Sequence, residues 1–296
     1  MRVASVRSPN VARIVAIVLL WISRTLASLL VAIPLVFAIV STGIASSTER
    51  DALLFRRGGL VLLELARAGA PALGSALKNS LVLGALCAVL GLIPLGAALD
   101  LLQSQETDAF PARFARAMRV FPGFLALSAL TLLAQAALLL GASLLSSALN
   151  AALHGHDERL LTCSPFAVFG VALLGCAALG ALLDVARGVR VQHELKARAA
   201  LSEALVILRE TPLAVLAGSY ASTAGSVFAW LAAASVLSRI DLANPVTRGI
   251  ALAFVVHQLA VLFSIGMRVR WLGTTLALSA VLPDRETRND DESAGD

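Results

Sequence analysis

Six stretches of this chain run for 19 to 34 residues without a single Asp, Glu, Lys or Arg: 25–47, 79–99, 120–153, 160–183, 211–238 and 249–267. About 20 apolar residues are enough to cross the hydrocarbon core of a bilayer. Inside lipid a segment must satisfy its own backbone N–H and C=O groups, which leaves the helix as the only form such a run can take. The expected fold is therefore all-α, a polytopic membrane protein with six transmembrane helices plus amphipathic interfacial helices. Residues 1–283 are expected to form one helical membrane domain, with the third crossing trimmed to about 121–148. The run after Arg270, 271–283, has only 13 residues and is expected to lie on the membrane surface.

Composition agrees with lipid as the main solvent. Of 296 residues, 58% are hydrophobic and 15% charged, with a mean hydropathy of +0.84. Soluble domains carry about 25% charged residues. The balance excludes an ordinary soluble domain, a disordered chain, a collagen and a disulfide-stapled secreted domain. Cys87, Cys163 and Cys176 stand singly within apolar runs, so neither a disulfide framework nor a zinc site is expected.

The net charge of +5 and a pI near 9.8 do not point to nucleic acid, because the arginines sit at the ends of apolar runs instead of on one soluble face. They set orientation. With the N-terminus inside, 16 of the 24 Lys and Arg residues fall on the inner side. The bias is expected to place both termini in the cytoplasm. Near the N-terminus Arg24 interrupts the apolar stretch, and the apolar part beyond it is too long for a signal-peptide core. Residues 11–23 are read as a short interfacial helix leading into the first span, with no cleavage.

The inner connections carry helical periodicity. Phe110, Phe114, Ala117, Met118 and Phe121 form one apolar stripe, with Arg113, Arg116 and Arg119 off it. Ala197, Leu201, Ala204, Leu205 and Leu208 form another. Both read as amphipathic helices in the inner interface. Arg113, Arg116 and Arg119 are candidate contacts for anionic lipids. Pro122 and Pro212 each follow an arginine by three residues and open a span. With 11–23, this suggests three units, each an interfacial helix followed by a two-helix hairpin. The outer loop 48–78 contains Gly58-Gly59 and LVLLELARAG, expected to form an interfacial or re-entrant helix. The tail 284–296 is acidic and expected to be disordered.

The segments DALLFRRGGLVLLELARAG, LLDVARGVRVQHELKARAALSEALVILRETPLAVLAG and MRVRWLGTTLALSA resemble a loosely defined group of uncharacterised bacterial six-helix integral membrane proteins. The likeness covers most of the chain as a pattern of composition and order. It implies the fold and carries no chemical motif.

Candidate site residues are polar groups placed at mid-membrane by the span limits: His257 and Gln258 in the last span, Gln135 in the third, and Tyr220 and Ser222 in the fifth, with Thr223 and Ser226 beside them. Converging, they would line a polar pocket or proton path. Apart, they would hydrogen-bond between helices and hold the bundle. Asp100 and Asp184 end even-numbered spans near arginines, where ion pairing is expected and coupling-ion binding is the alternative. His154, His156, Asp157 and Glu158 form a solvated turn with metal-ligand residue types but no identifiable further ligands. The small residues of GSYASTAGS, 218–226, and Gly170, Gly175 and Gly180 favour close helix packing.

A serine such as Ser219 or Ser226 with His257 resembles the pairing of rhomboid-type intramembrane proteases, but His257 is followed by Gln-Leu-Ala-Val and lacks that family's glycine spacing. Glu203-Ala204-Leu205 resembles the start of the ATPase-docking motif of ABC permeases, without its glycine or later Leu-Pro. No Walker A, GxGxxG or HExxH pattern occurs. No catalytic residue, metal or cofactor is expected.

The first functional expectation is a non-enzymatic protein that organises or assists membrane assemblies. The alternative is a transporter of a small solute, ion or lipid through a polar mid-membrane site, and a remote third is an intramembrane hydrolase. Expected partners are membrane lipids, with a second copy of the chain or another membrane protein as further candidates, and no nucleic acid.

Overall fold

The computed structural model describes residues 9–41, 70–103, 110–153, 158–239 and 247–280. They form eight helices: α1 (Pro9–Ser41), α2 (Ala70–Leu90), α3 (Leu92–Gln103), α4 (Phe110–Ala152), α5 (Glu158–His193), α6 (Ala197–Glu210), α7 (Pro212–Leu237) and α8 (Thr247–Ala280). There is no strand among the described residues. Among the described residues six stretches are long and apolar enough to cross a membrane: Asn10–Ala38, Gly74–Gln103, Pro111–Ala152, Cys163–His193, Pro212–Leu237 and Ala251–Ala280. The outer-loop helix expected within 48–69, the His154–Asp157 turn and the acidic tail lie outside the described residues.

The bundle is apolar outside, and its apolar interior also encloses charged groups. Leu132, Leu133, Leu140 and Leu144 on α4, Phe228 and Leu231 on α7, and Phe254 and Leu259 on α8 are exposed, whereas Arg113, Asp184 and Arg187 are buried. In lipid a leucine gains nothing by moving inward, so close packing and polar pairing decide the interior. Small residues serve that packing: Ala98, Ala186, Ala200 and Ala204 are fully buried. Helix α8 occupies the middle of the bundle, against α1, α3, α5, α6 and α7. Gly218 of α7 lies so close to the Trp271 ring of α8 that a Cβ there would come within 2.6 Å of it, and Gly225 sits equally close to Met267. Gly175 faces Leu138, whereas a methyl placed at Gly170 or Gly180 would meet nothing within 4 Å.

Local chemistry explains the helix breaks. Between α2 and α3, Gly91 keeps its N–H bond to the Cys87 carbonyl at 2.8 Å, but Pro94 brings no N–H for Leu90 and the helical ladder is interrupted. Glu194, with a φ of 50°, turns the chain out of α5. Thr211 leaves the helical region at φ −131° and ψ 54°. Its N–H and Oγ1 both donate to the Ile207 carbonyl, and Pro212 opens α7 at its first turn.

Three expectations are corrected. Residues 11–23 are not a separate interfacial helix, because α1 is continuous from Pro9 to Ser41. The Phe110–Phe121 stripe is likewise the first part of the 43-residue α4, which carries Pro122 in its interior. Among the described helices only α6 stands alone ahead of its span, so the three-unit repeat does not appear. Its buried face is Ala200, Ala204 and Ile207, with Leu205 exposed. The third correction concerns 271–283. Helix α8 runs on to Ala280 through the bundle, with Trp271, Leu272, Thr275, Leu276 and Ser279 buried at helical spacing.

Candidate functional site: a cavity beside a buried ion cluster

The five polar residues expected at mid-membrane do not converge. Gln135 donates to the Cys176 carbonyl at 2.9 Å, joining α4 to α5. Tyr220 donates to the Leu174 carbonyl at 2.9 Å, joining α7 to α5. Ser222 donates to the Met267 carbonyl at 3.0 Å, joining α7 to α8. Gln258 accepts from the Trp21 indole at 3.0 Å, joining α8 to α1. His257 packs its ring edge-on against Trp230, with centroids 5.1 Å apart. The five residues serve four helix pairs, with Ser222 and His257 both between α7 and α8. Ser226 donates to the Ser222 carbonyl, and neither Ser219 nor Ser226 hydrogen-bonds His257 among the described residues.

A stronger polar centre lies elsewhere, around Asp184 of α5, which is 2% exposed. Arg268 of α8 reaches both carboxylate oxygens, Nη1 to Oδ2 at 2.5 Å and Nη2 to Oδ1 at 2.6 Å. Trp271 Nε1 donates to Oδ2 at 2.9 Å. Arg187, one turn along α5, adds a longer contact of 3.5 Å and donates through Nη2 to Ser128 Oγ of α4 at 2.7 Å. Its guanidinium lies 5.7 Å from the centroid of the buried Phe124 ring, a cation–π geometry. A planar guanidinium holding a carboxylate through two N–H groups is the strongest common form of ion pair. One carboxylate thus ties α5 to α8, and its arginine neighbour ties α5 to α4.

Asp100 at the end of α3 anchors a second cluster. It accepts from Arg113 Nη1 at 3.3 Å and from Arg116 through Nε and Nη2 at 2.8 and 3.1 Å. This corrects the lipid-contact expectation for Arg113, which is 2% exposed and turned into the bundle. Arg116 is likewise committed to Asp100. The α4 helix begins early enough to fold these arginines against α3, and a carboxylate there neutralises them. Arg119 is exposed and lines a pocket of about 170 Å³ with Asp100, Arg190 and Glu194. The Arg190 guanidinium lies where a side chain at Gly123 would have to go, and donates to the Leu195 carbonyl at 2.5 Å.

A large cavity, about 890 Å³, lies between α1, α2 and α3 on one side and α7 and α8 on the other. Ligand sites commonly fall at about 300–1,000 Å³. Its lining is mixed. Ser222, Thr223 and Ser226 of α7 and Ser264, Ile265 and Arg268 of α8 line it on one side, and Leu20, Ser23 and Arg24 line it from α1. Val31, Ala32 and Leu35 line it farther along α1, and Gly84 and Ala88 line it from α2. Arg24, Ser28, Ala88, Gly91 and Thr223 are exposed, so the cavity is open on one side of the bundle. The break at Gly91 falls in its wall, as expected where irregular backbone lines a cavity.

Of the five mid-membrane candidates, only Ser222 lines this cavity. Sequence pattern does not find Arg24, Ser264 and Arg268 as a group, because arginines flanking apolar runs read as markers of the membrane border. The signal that points to them is that Arg24 interrupts one long apolar stretch from 14 to 47. Among the described residues, no three His, Cys, Asp or Glu side chains come together as a metal-binding group. No protein-family model, curated protein or solved structure matches the chain.

Proposed function

We propose that this is a non-enzymatic multi-pass membrane protein that takes a lipid-like guest from the surrounding bilayer into the α1–α2–α7–α8 cavity. The observation that carries the reading is the cavity's mixed lining, with hydroxyls and arginines from α1, α7 and α8, aliphatic side chains farther along α1, and exposed residues at its rim. An amphiphile has the same mixed character. The alternative of a mid-membrane polar path through His257, Gln135 and Tyr220 has less support, since those groups bond separate helix pairs. The Lys and Arg bias of the sequence supports both termini inside, and the resemblance to bacterial six-helix membrane proteins supports the bacterial cytoplasmic (inner) membrane as the location.

Filling the cavity tests this. A Cβ at Gly84 meets only Val31 Cγ2, at 3.9 Å, so the helix accepts a larger side chain that projects into the space. The wild-type chain purified in mild detergent is expected to retain a membrane lipid in native mass spectrometry, chemically unchanged after incubation, and Gly84→Leu is expected to lose it. Equal retention by both proteins overturns the reading, as does conversion of the lipid.

A further inference from the structure

We infer that the guest is a lipid carrying a phosphate or carboxylate, its anionic headgroup held between Arg24 and Arg268 and its chain lying along Val31, Ala32 and Leu35. This rests on the lipid-binding reading above and names the chemistry selected.

Three observations carry it. Arg24 has fourteen residues of the apolar window Asn10–Ala38 on each side, and it forms no hydrogen bond or ion pair among the described residues. An ionisable group inside an apolar segment needs a partner of opposite charge. Second, Ser264 is only 9% exposed and lines the cavity, yet its hydroxyl has no partner among the described residues. A hydroxyl that reaches the cavity without a protein partner can donate to an acceptor placed there.

The third observation is directional. Helices α1 and α8 run antiparallel, since Trp21 meets Gln258 while Ala16 packs in one cluster with Ile265 and Val269. Side chains on a helix lean toward its N-terminus. Arg24 therefore leans toward the Arg268 end, and Arg268 leans back toward Arg24. Arg268 keeps both of its bonds to Asp184, and its side chain is still 42% exposed. Two guanidinium groups facing one space repel a cation and leave a neutral headgroup without a counter-charge role. An oxyanion with several acceptor oxygens suits both. A free anion would leave the aliphatic part of the cavity empty, so the charge is best carried on a chain.

The test uses the delipidated full chain in neutral detergent with equal amounts of phosphatidic acid and phosphatidylcholine of identical acyl chains, read by native mass spectrometry. Phosphatidic acid is expected to be retained about tenfold more, the scale of one charge-assisted hydrogen bond. Arg24→Gln is expected to remove the preference and Arg24→Lys to keep most of it, with thermal unfolding unchanged in both because Arg24 has no structural partner to lose. Oleate competing with phosphatidic acid would support a carboxylate as well. Equal retention of the two lipids, or a preference that survives Arg24→Gln, overturns the inference while leaving lipid binding intact. Inorganic phosphate competing as well as the lipid also overturns it. Failure to retain either lipid, with no difference in Gly84→Leu, would instead sink the functional reading beneath it.

Discussion

Arg268 grips both carboxylate oxygens of Asp184 while the same side chain forms part of the cavity wall. The residue that closes the buried ion cluster is thereby also the residue that presents charge to the open space. Structural support and ligand-facing chemistry meet in one guanidinium. The position of that guanidinium is fixed from behind by Asp184, and Asp184 is in turn fixed by Trp271 and Arg187.

Asp184→Ala is expected to be among the most damaging single changes in the bundle. It leaves Arg187 and Arg268 without their counter-ion, and breaking a buried ion pair on one side costs about 3–5 kcal/mol. A cycle with Arg268→Ala, followed by unfolding in detergent, is expected to be strongly less than additive. Additive losses would mean that the two residues act independently.

Gly218→Ala is expected to destabilise the protein by about 1–3 kcal/mol, as for overpacking of a close helix contact. The added methyl comes within 2.6 Å of the Trp271 ring, which must shift and pull its indole N–H away from Asp184. Trp271→Phe in the same background is expected to relieve the overlap, because the methyl meets the far ring of the indole that phenylalanine lacks, but also to forfeit the N–H bond to Asp184. The check is the unfolding midpoint of the single and double variants.

Gln135→Leu, and separately Trp21→Phe to remove the partner of Gln258, are expected to cost only about 0.6 kcal/mol each, the average of interhelical hydrogen bonds in membranes. Losses of several kcal/mol in either would show that these groups carry more than helix pairing.

Thiol reactivity separates the cavity from the rest of the bundle. In a background lacking the native cysteines, Ser28→Cys and Thr223→Cys are expected to react quickly with a small aqueous thiol reagent, since both line the cavity and are exposed. His257→Cys, on the outer face of α8, and Gln135→Cys, between α4 and α5, are expected to react slowly. Reaction at equal rates at all four positions would contradict the placement of the cavity.

The membrane class and the helical fold are legible in the sequence because a bilayer gives a long apolar run only one conformation. What escapes it traces to a single assumption, that a charged residue marks the edge of a span. Arg24 violates it by sitting inside α1, and Arg268 violates it because Asp184, 84 residues away, neutralises it within the bundle. Once Arg268 is paired, nothing requires α8 to stop, and Trp271 to Ser279 continue inward. The same assumption misplaces Arg113, whose partner Asp100 lies on the previous helix. Pro122 shows a different limit. A proline can open a helix or sit within one, and only the neighbouring packing decides which, whereas at Pro212 the non-helical Thr211 settles it locally.

The central place of α8 bears on how the protein is made. It leaves the ribosome after the other described helices, yet it supplies Arg268 and Trp271 to a carboxylate that entered the membrane with α5. Until then Asp184 has only its own neighbour Arg187, one turn away, as a counter-charge. The early helices must therefore wait in the bilayer as an unfinished assembly, with the cavity wall open along the side that α8 will close. Assembly is completed by insertion of one late segment, and the quality of the finished bundle is read out by whether that segment finds its carboxylate.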